Sequence, residues 1–191
     1  MTVFVYPHRT PSCSDFYFEP SMTNDYLGQP KISNWSLEDA YKASLPDFRK
    51  VLENVKLGNK HKYITVKAYF KTLPAKTYPC MPDWHTDCTM DPWHNSKPDV
   101  NHLFTFGANC FTKFLDCEAA IDLVNSDALV ADYKKAIHNW IQTNNPTVFT
   151  IKPGYIWTYD RFAIHAPNIG TGNRFFLRVT ESDIVRPISP K

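Results

Sequence analysis

Residues 147–180 constrain the fold most. Within them, 147–151, 154–159, 162–166 and 174–180 each read as a short strand. Lys152-Pro153 and Asn168-Ile-Gly-Thr-Gly-Asn173 supply breaks between them. Strands this short and this closely spaced have to curl into a sandwich or barrel, because no helix or long open sheet survives such frequent punctuation. Upstream, residues 63–70 set Ile64, Val66, Ala68 and Phe70 against Tyr63, Thr65, Lys67 and Tyr69, the period-two pattern of a half-buried strand. Further strands are expected at 81–87, 103–106 and 110–115, giving about eight between 63 and 180. The expected class is mainly β with flanking helices, in a double-stranded β-helix, the distorted jelly roll. Fifteen Pro against six Gly, with 15% aromatic residues, favour rigid turns between strands over a helical bundle.

The rest of the chain supplies the support. Residues 1–35 show no sustained period and read as irregular, with one short strand at 2–6; Phe16, Tyr17, Phe18, Tyr26 and Trp35 would pack this segment on the domain. Ser36 is an N-cap with Asp39 three positions on, so a helix should run through Ala43. A second helix starts at Pro46, carries the stripe Phe48, Val51, Leu52 and Val55, and ends by Gly58. Residues 116–142 read as a third helix through Ile121, Val124, Leu129, Tyr133, Ile137 and Trp140. Residues 88–101, with Pro92, Trp93, His94 and Pro98, form a loop long enough to be functional. The reading is one domain over 1–191: segment 1–35, helices within 36–58, and a core over 63–180.

Composition excludes several classes. With 43% hydrophobic and 21% charged residues, the chain is globular and not disordered. The N-terminus has no basic region followed by an apolar run, and no stretch reaches eighteen apolar residues, so a soluble, intracellular (cytoplasmic) protein with no membrane partner is expected. Five cysteines fall in no C-x-x-C pair, which points to free thiols and away from a zinc cluster. Net charge is only +2, yet residues 49–76, opened by Arg49 and closed by Lys76, hold eight basic residues against Glu53 alone. That stretch is a solvated helix face with a lysine-guarded strand edge, or else a face for nucleic acid.

The chemistry is expected at His85-Thr86-Asp87. Two residues apart on an extended strand, an imidazole and a carboxylate point the same way and can reach one cation. H-x-D alone is a short pattern that arises by chance; context gives it weight. His165, from a distant strand, would complete a triangle of two His and one carboxylate, a set that suits non-haem Fe(II). Arg174 and Arg178, four apart on a strand, share a face. Buried arginines need a counter-charge, and no acid near them in sequence lies on their face of the strand.

In order and spacing, His85-x-Asp87, His165 and then Arg174 or Arg178 resemble the Fe(II)- and 2-oxoglutarate-dependent oxygenases over 63–180. The resemblance implies Fe(II) held by His85, Asp87 and His165, with 2-oxoglutarate and O2 as co-substrates. Arg174 and Arg178 would bind the far carboxylate of 2-oxoglutarate. Arg174, nine residues after His165, is similar to the basic residue of prolyl-hydroxylase-like members and is favoured; the pair is similar to that of taurine-dioxygenase-like members. Tyr69, Tyr78 and Thr112 could donate hydrogen bonds to the co-substrate, and Trp93 and His94 could cover the prime substrate. The implied reaction is hydroxylation of an unactivated C–H bond in a small molecule or amino-acid residue, releasing succinate and CO2. The alternatives are a nucleobase-modifying member of the family, which the basic stretch would serve, and a cupin-type metal protein that does not use 2-oxoglutarate.

Overall fold

The computed structural model describes residues 2–23, 26–27, 31–80, 82–87, 98–109, 111–123 and 130–185. In chain order the strands are β1 (Thr2–Tyr6), β2 (Ser12–Tyr17), β3 (Ile32–Ser36), β4 (Tyr63–Thr77), β5 (Val100–Gly107), β6 (Thr112–Leu115), β7 (Ala119–Leu123), β8 (Val148–Thr150), β9 (Tyr155–Asp160), β10 (His165–Pro167) and β11 (Gly170–Ser182). Helices α1 (Leu37–Ala43) and α2 (Pro46–Glu53) lie between β3 and β4, and α3 (Val130–Asn144) lies between β7 and β8.

Two sheets carry the core. The larger is ordered β2-β9-β5-β11-β4-β3 and the smaller β10-β6-β8, with all pairings antiparallel. His85 adds a single rung to the small sheet by bridging His165. From β4 onward the chain visits the large sheet, the His85 rung, β5 in the large sheet, β6 and β8 in the small, then β9, β10 and β11 alternately. Eight steps wound into two packed sheets make this a double-stranded β-helix, mainly β, with three flanking helices among the described residues.

The period-two pattern decides which face is which. Val66, Ala68 and Phe70 of β4 and Phe175, Leu177 and Val179 of β11 are buried on the outer face of the large sheet, where Phe48, Val51 and Leu52 of α2 cover them. The Phe48 and Phe175 rings stack with centroids 3.9 Å apart. Ser36 caps α1, its hydroxyl accepting from the Asp39 amide at 3.1 Å and donating to the Asp39 carboxylate at 2.8 Å. On the small sheet, α3 and the β1–β7 pair gather Tyr6, Leu115, Ile121, Ile137, Ile141 and Ile164 into a second cluster. With both outer faces sealed by apolar packing, the alternate residues of each strand look into the sandwich. Leu103, Phe114 and Tyr159 pack there, and beside them the interior is polar.

Several expectations need correction. The third helix is shorter than read: Ala119–Leu123 is a strand paired with β1, from Tyr6↔Ala119 to Thr2↔Leu123. A partner more than a hundred residues away outweighed the local helical period: Ala119 and Ile121 are buried and Ala120 and Asp122 exposed, an alternation that two adjacent alanines hide in the sequence. Among its described residues, segment 1–35 holds β1, β2 and most of β3 where one strand was expected, because β2 and β3 take the two edges of the large sheet. β4 continues past Phe70 to Thr77; Pro74 is tolerated because β3 reaches only Thr65 to Ala68, leaving the far part of β4 an edge. Helix α2 ends at Glu53, before Gly58. The strand expected at 81–87 is reduced, among its described residues, to the rung at His85. No helix among the described residues is long and apolar enough to cross a membrane. Cys13, Cys80 and Cys117 are free thiols.

Candidate metal centre and its cavity

His85, Asp87 and His165 converge, with one ligand atom from each lying within 4.8 Å of the others. The two histidines are neighbours through their backbones: the His85 amide donates to the His165 carbonyl at 2.9 Å, and the His165 amide to the His85 carbonyl at 2.8 Å. Each imidazole is also set in its tautomer. Nδ1 of His85 lies 2.7 Å from the Asp83 carbonyl and Nδ1 of His165 lies 2.9 Å from the Ala163 carbonyl. A carbonyl oxygen only accepts, so Nδ1 carries the proton and the Nε2 lone pair stays available, the arrangement usual for metal-binding histidines. Burial disfavours the imidazolium of His165 and pulls its pKa down to about 4, so the ring is a neutral donor at ordinary pH.

Asp87 is gripped from three directions. The Asn101 amide donates to Oδ2 at 3.1 Å, the Tyr159 hydroxyl to Oδ2 at 3.0 Å, and the Arg178 guanidinium to Oδ1 at 2.8 Å. Burial by itself would favour the acid form. Since His165 is neutral, the positive charge that overcomes burial is that of Arg178, and Asp87 sits well below the usual carboxylate range. Tyr159 shifts the opposite way: burial first, and then the adjacent Asp87 charge, push its hydroxyl up, so it remains a donor. A carboxylate offers about four lone-pair positions; three are filled by protein donors, and one is left for a cation. Two imidazole Nε2 atoms and one ionised carboxylate make a donor set that can hold a divalent ion.

The cavity around this triad measures about 240 Å³, room for a molecule smaller than a typical drug-sized ligand, and its wall includes Lys67, Tyr69, Cys80, Thr112, Arg174, Phe176 and Arg178. Arg174 and Arg178 do share a face, but His165 does not sit on the strand beside theirs. It belongs to the small sheet, whereas the arginines are on β11 of the large one, so they meet across the sandwich. The two arginines also differ in circumstance. Arg178 has an acidic partner after all: Asp87, 91 residues distant in sequence. Arg174 is 2% exposed and stacks over Phe176 and Tyr69. It donates to the Tyr69 hydroxyl at 2.5 Å, has no acidic partner among the described residues, and keeps its Nε unbonded.

Of the remaining expected residues, Thr112 and Tyr69 line the cavity, whereas Tyr78 is 41% exposed and does not. Trp93 and His94 lie outside the described residues. Asn101 and Tyr159 were missed: Tyr159 closes an expected strand, whereas Asn101 lies in the segment read as a loop but belongs to β5, which starts at Val100, and nothing local marks an Asn or Tyr as the partner of a carboxylate elsewhere. The basic stretch 49–76 is divided by the fold. Arg49 bonds the Tyr41 and Lys42 carbonyls and Lys50 lies over the Phe18 ring, on the outer side, while Lys67 turns into the cavity.

No family model matches this sequence, and no curated protein matches it. Among solved structures, EvdO2 from Micromonospora carbonacea var. aurantiaca is similar to this chain at a TM-score of 0.44 and 14% identity, over 92% of this chain and 76% of that one. The fold and site together define a jelly roll with a two-histidine, one-carboxylate cluster that can hold a metal ion.

Proposed function

We propose that this protein is an Fe(II)- and 2-oxoglutarate-dependent oxygenase that hydroxylates an unactivated C–H bond of a small molecule or amino-acid residue, with release of succinate and CO2. The observation that supports this most is Arg174: a guanidinium buried in the same cavity as the triad, without an anionic partner among the described residues. Burying such a charge is costly unless a ligand completes it, and a planar guanidinium suits a carboxylate.

In this reading His85, Asp87 and His165 hold Fe(II), which with 2-oxoglutarate and O2 supplies the oxidising chemistry. The carbonyls of Asp83 and Ala163 keep both imidazoles turned with Nε2 toward the centre. Arg178, Tyr159 and Asn101 hold Asp87 ionised and oriented. Arg174 and the Tyr69 hydroxyl bind the far carboxylate of the co-substrate, and Phe176 and Leu103 keep water from that part of the wall. Anaerobic addition of Fe(II) and 2-oxoglutarate should produce a visible charge-transfer absorption in the wild type. His85→Ala and Asp87→Ala should lose both the band and succinate production. A protein that binds Fe(II) without developing the band with 2-oxoglutarate would be a metal-binding jelly roll of another kind.

A further inference from the structure

The inner face of the large sheet presents an unusual ladder. In the β4–β11 register Lys67 stands opposite Arg178, Tyr69 opposite Phe176 and Lys71 opposite Arg174. Like charges directly across an antiparallel pair repel, and here two such rungs flank one aromatic rung, whose rings stack at 4.7 Å and 9°. Lys71 bends out to donate to the Pro79 carbonyl at 2.6 Å. Lys67, Arg174 and Arg178 remain in the cavity wall, with Asp87 as the one carboxylate among the lining residues. Asp87 answers Arg178, and Arg174 answers the co-substrate in the function proposed above. Lys67 is left over: half-buried, with neither an ion pair nor a hydrogen bond among the described residues. Burial, then Arg178 and Lys31, make its charge harder to hold.

We infer that Lys67 is the anchor for an anionic group, a carboxylate or a phosphate, on the prime substrate. The inner face of the cavity therefore selects a small acidic molecule over a neutral one. The assignment of this anion to the prime substrate rests on the oxygenase reading; the existence of an anion subsite at Lys67 does not. A divalent ion and the three cations Lys67, Arg174 and Arg178 outweigh Asp87 and the two carboxylates of 2-oxoglutarate, so the loaded cavity keeps a positive surplus, and Lys67 is its member without a partner among the described residues. A half-buried cation in that position favours a negatively charged visitor.

Calorimetric titration of the Mn(II)-loaded, 2-oxoglutarate-saturated protein, with inorganic phosphate in one arm and acetate in the other, tests this. At least one anion should bind, losing roughly tenfold or more in affinity in Lys67→Met, as expected for one charge-assisted hydrogen bond, and recovering in Lys67→Arg. 2-Oxoglutarate itself should respond more to Arg174→Met than to Lys67→Met. Binding of neither anion to the wild type, anion binding that survives in Lys67→Met, or 2-oxoglutarate affinity that falls further in Lys67→Met than in Arg174→Met would each overturn the inference. Failure of 2-oxoglutarate to bind the wild type would remove the oxygenase reading alone. Phosphate titrated without it would still report on the subsite, which stands if Lys67→Met weakens binding more than Arg174→Met and falls if it does not.

Discussion

The two arginines of β11 share a face, and the structure gives them different surroundings: Arg178 is paired with Asp87, and Arg174 meets only the Tyr69 hydroxyl among the described residues. Arg178→Met removes the partner of a buried carboxylate, so it should destabilise the metal-free protein by about 3 kcal/mol, the usual cost of breaking such a pair, measurable by urea denaturation. It should also weaken metal retention, because Asp87 loses the charge that keeps it ionised. Arg174→Met leaves no acid stranded and should change stability little; under the proposed function it should raise the apparent 2-oxoglutarate KM by tenfold or more, roughly the worth of a bidentate ionic contact. His165 gives a pH dependence of definite sign. Its folded-state value of about 4 lies below the ordinary imidazole value near 6.5, so between them the unfolded chain takes a proton that the native state refuses. The metal-free protein should therefore lose on the order of 2–3 kcal/mol as pH falls from about 6.5 to 4. Below about pH 4, Asp87, whose folded value is depressed, adds a further loss. A denaturation series across that range checks both, and His165→Gln should flatten the first step.

At the scale of elements, what matters is how closely the strands must approach. Gly107, opposite Arg174 at the end of β5, has φ +75°, and a Cβ there would lie 2.3 Å from the Asn173 carbonyl oxygen. Gly107→Ala should cost at least about 2 kcal/mol from the backbone conformation and the clash together, read as a lowered Tm. Helix α2 matters through its contact with the sheet. Phe175 is fully buried between Phe48 and Phe104, so Phe175→Ala should cost about 3–5 kcal/mol in thermal or chemical denaturation. Because the lost atoms lie on the outer face of β11, a folded Phe175→Ala protein should keep its metal affinity; a large loss of affinity would show that the two faces are not independent.

For the molecule as a whole, the double-stranded β-helix was legible because short alternating strands and Pro-Gly turns leave few other solutions. The triad was legible because its three side chains are chemically distinctive and come in a telling order. Less legible was everything decided by distant partners. Ala119–Leu123 became a strand only because Thr2–Tyr6 lies beside it. Arg178 seemed unpaired because Asp87, its counter-charge, comes from the opposite wall of the sandwich. Lys67 read as one member of a surface basic stretch, since period two tells the two faces of β4 apart but not which of them meets water. Here the helices took the apolar side and left the other to the chamber.

The bridge between His85 and His165 has a consequence of its own. Two of the three candidate ligands, His85 and Asp87, belong to a short passage of chain that is stitched to the small sheet, among the described residues, by that single rung. An ion shared by both sides would act as a rivet through that seam, so occupancy and the closing of one chamber wall become the same event. Stripping the ion should leave the barrel standing with that wall unfastened, and amide hydrogens at His85 and His165 should then exchange with solvent far sooner than those of β4 and β11.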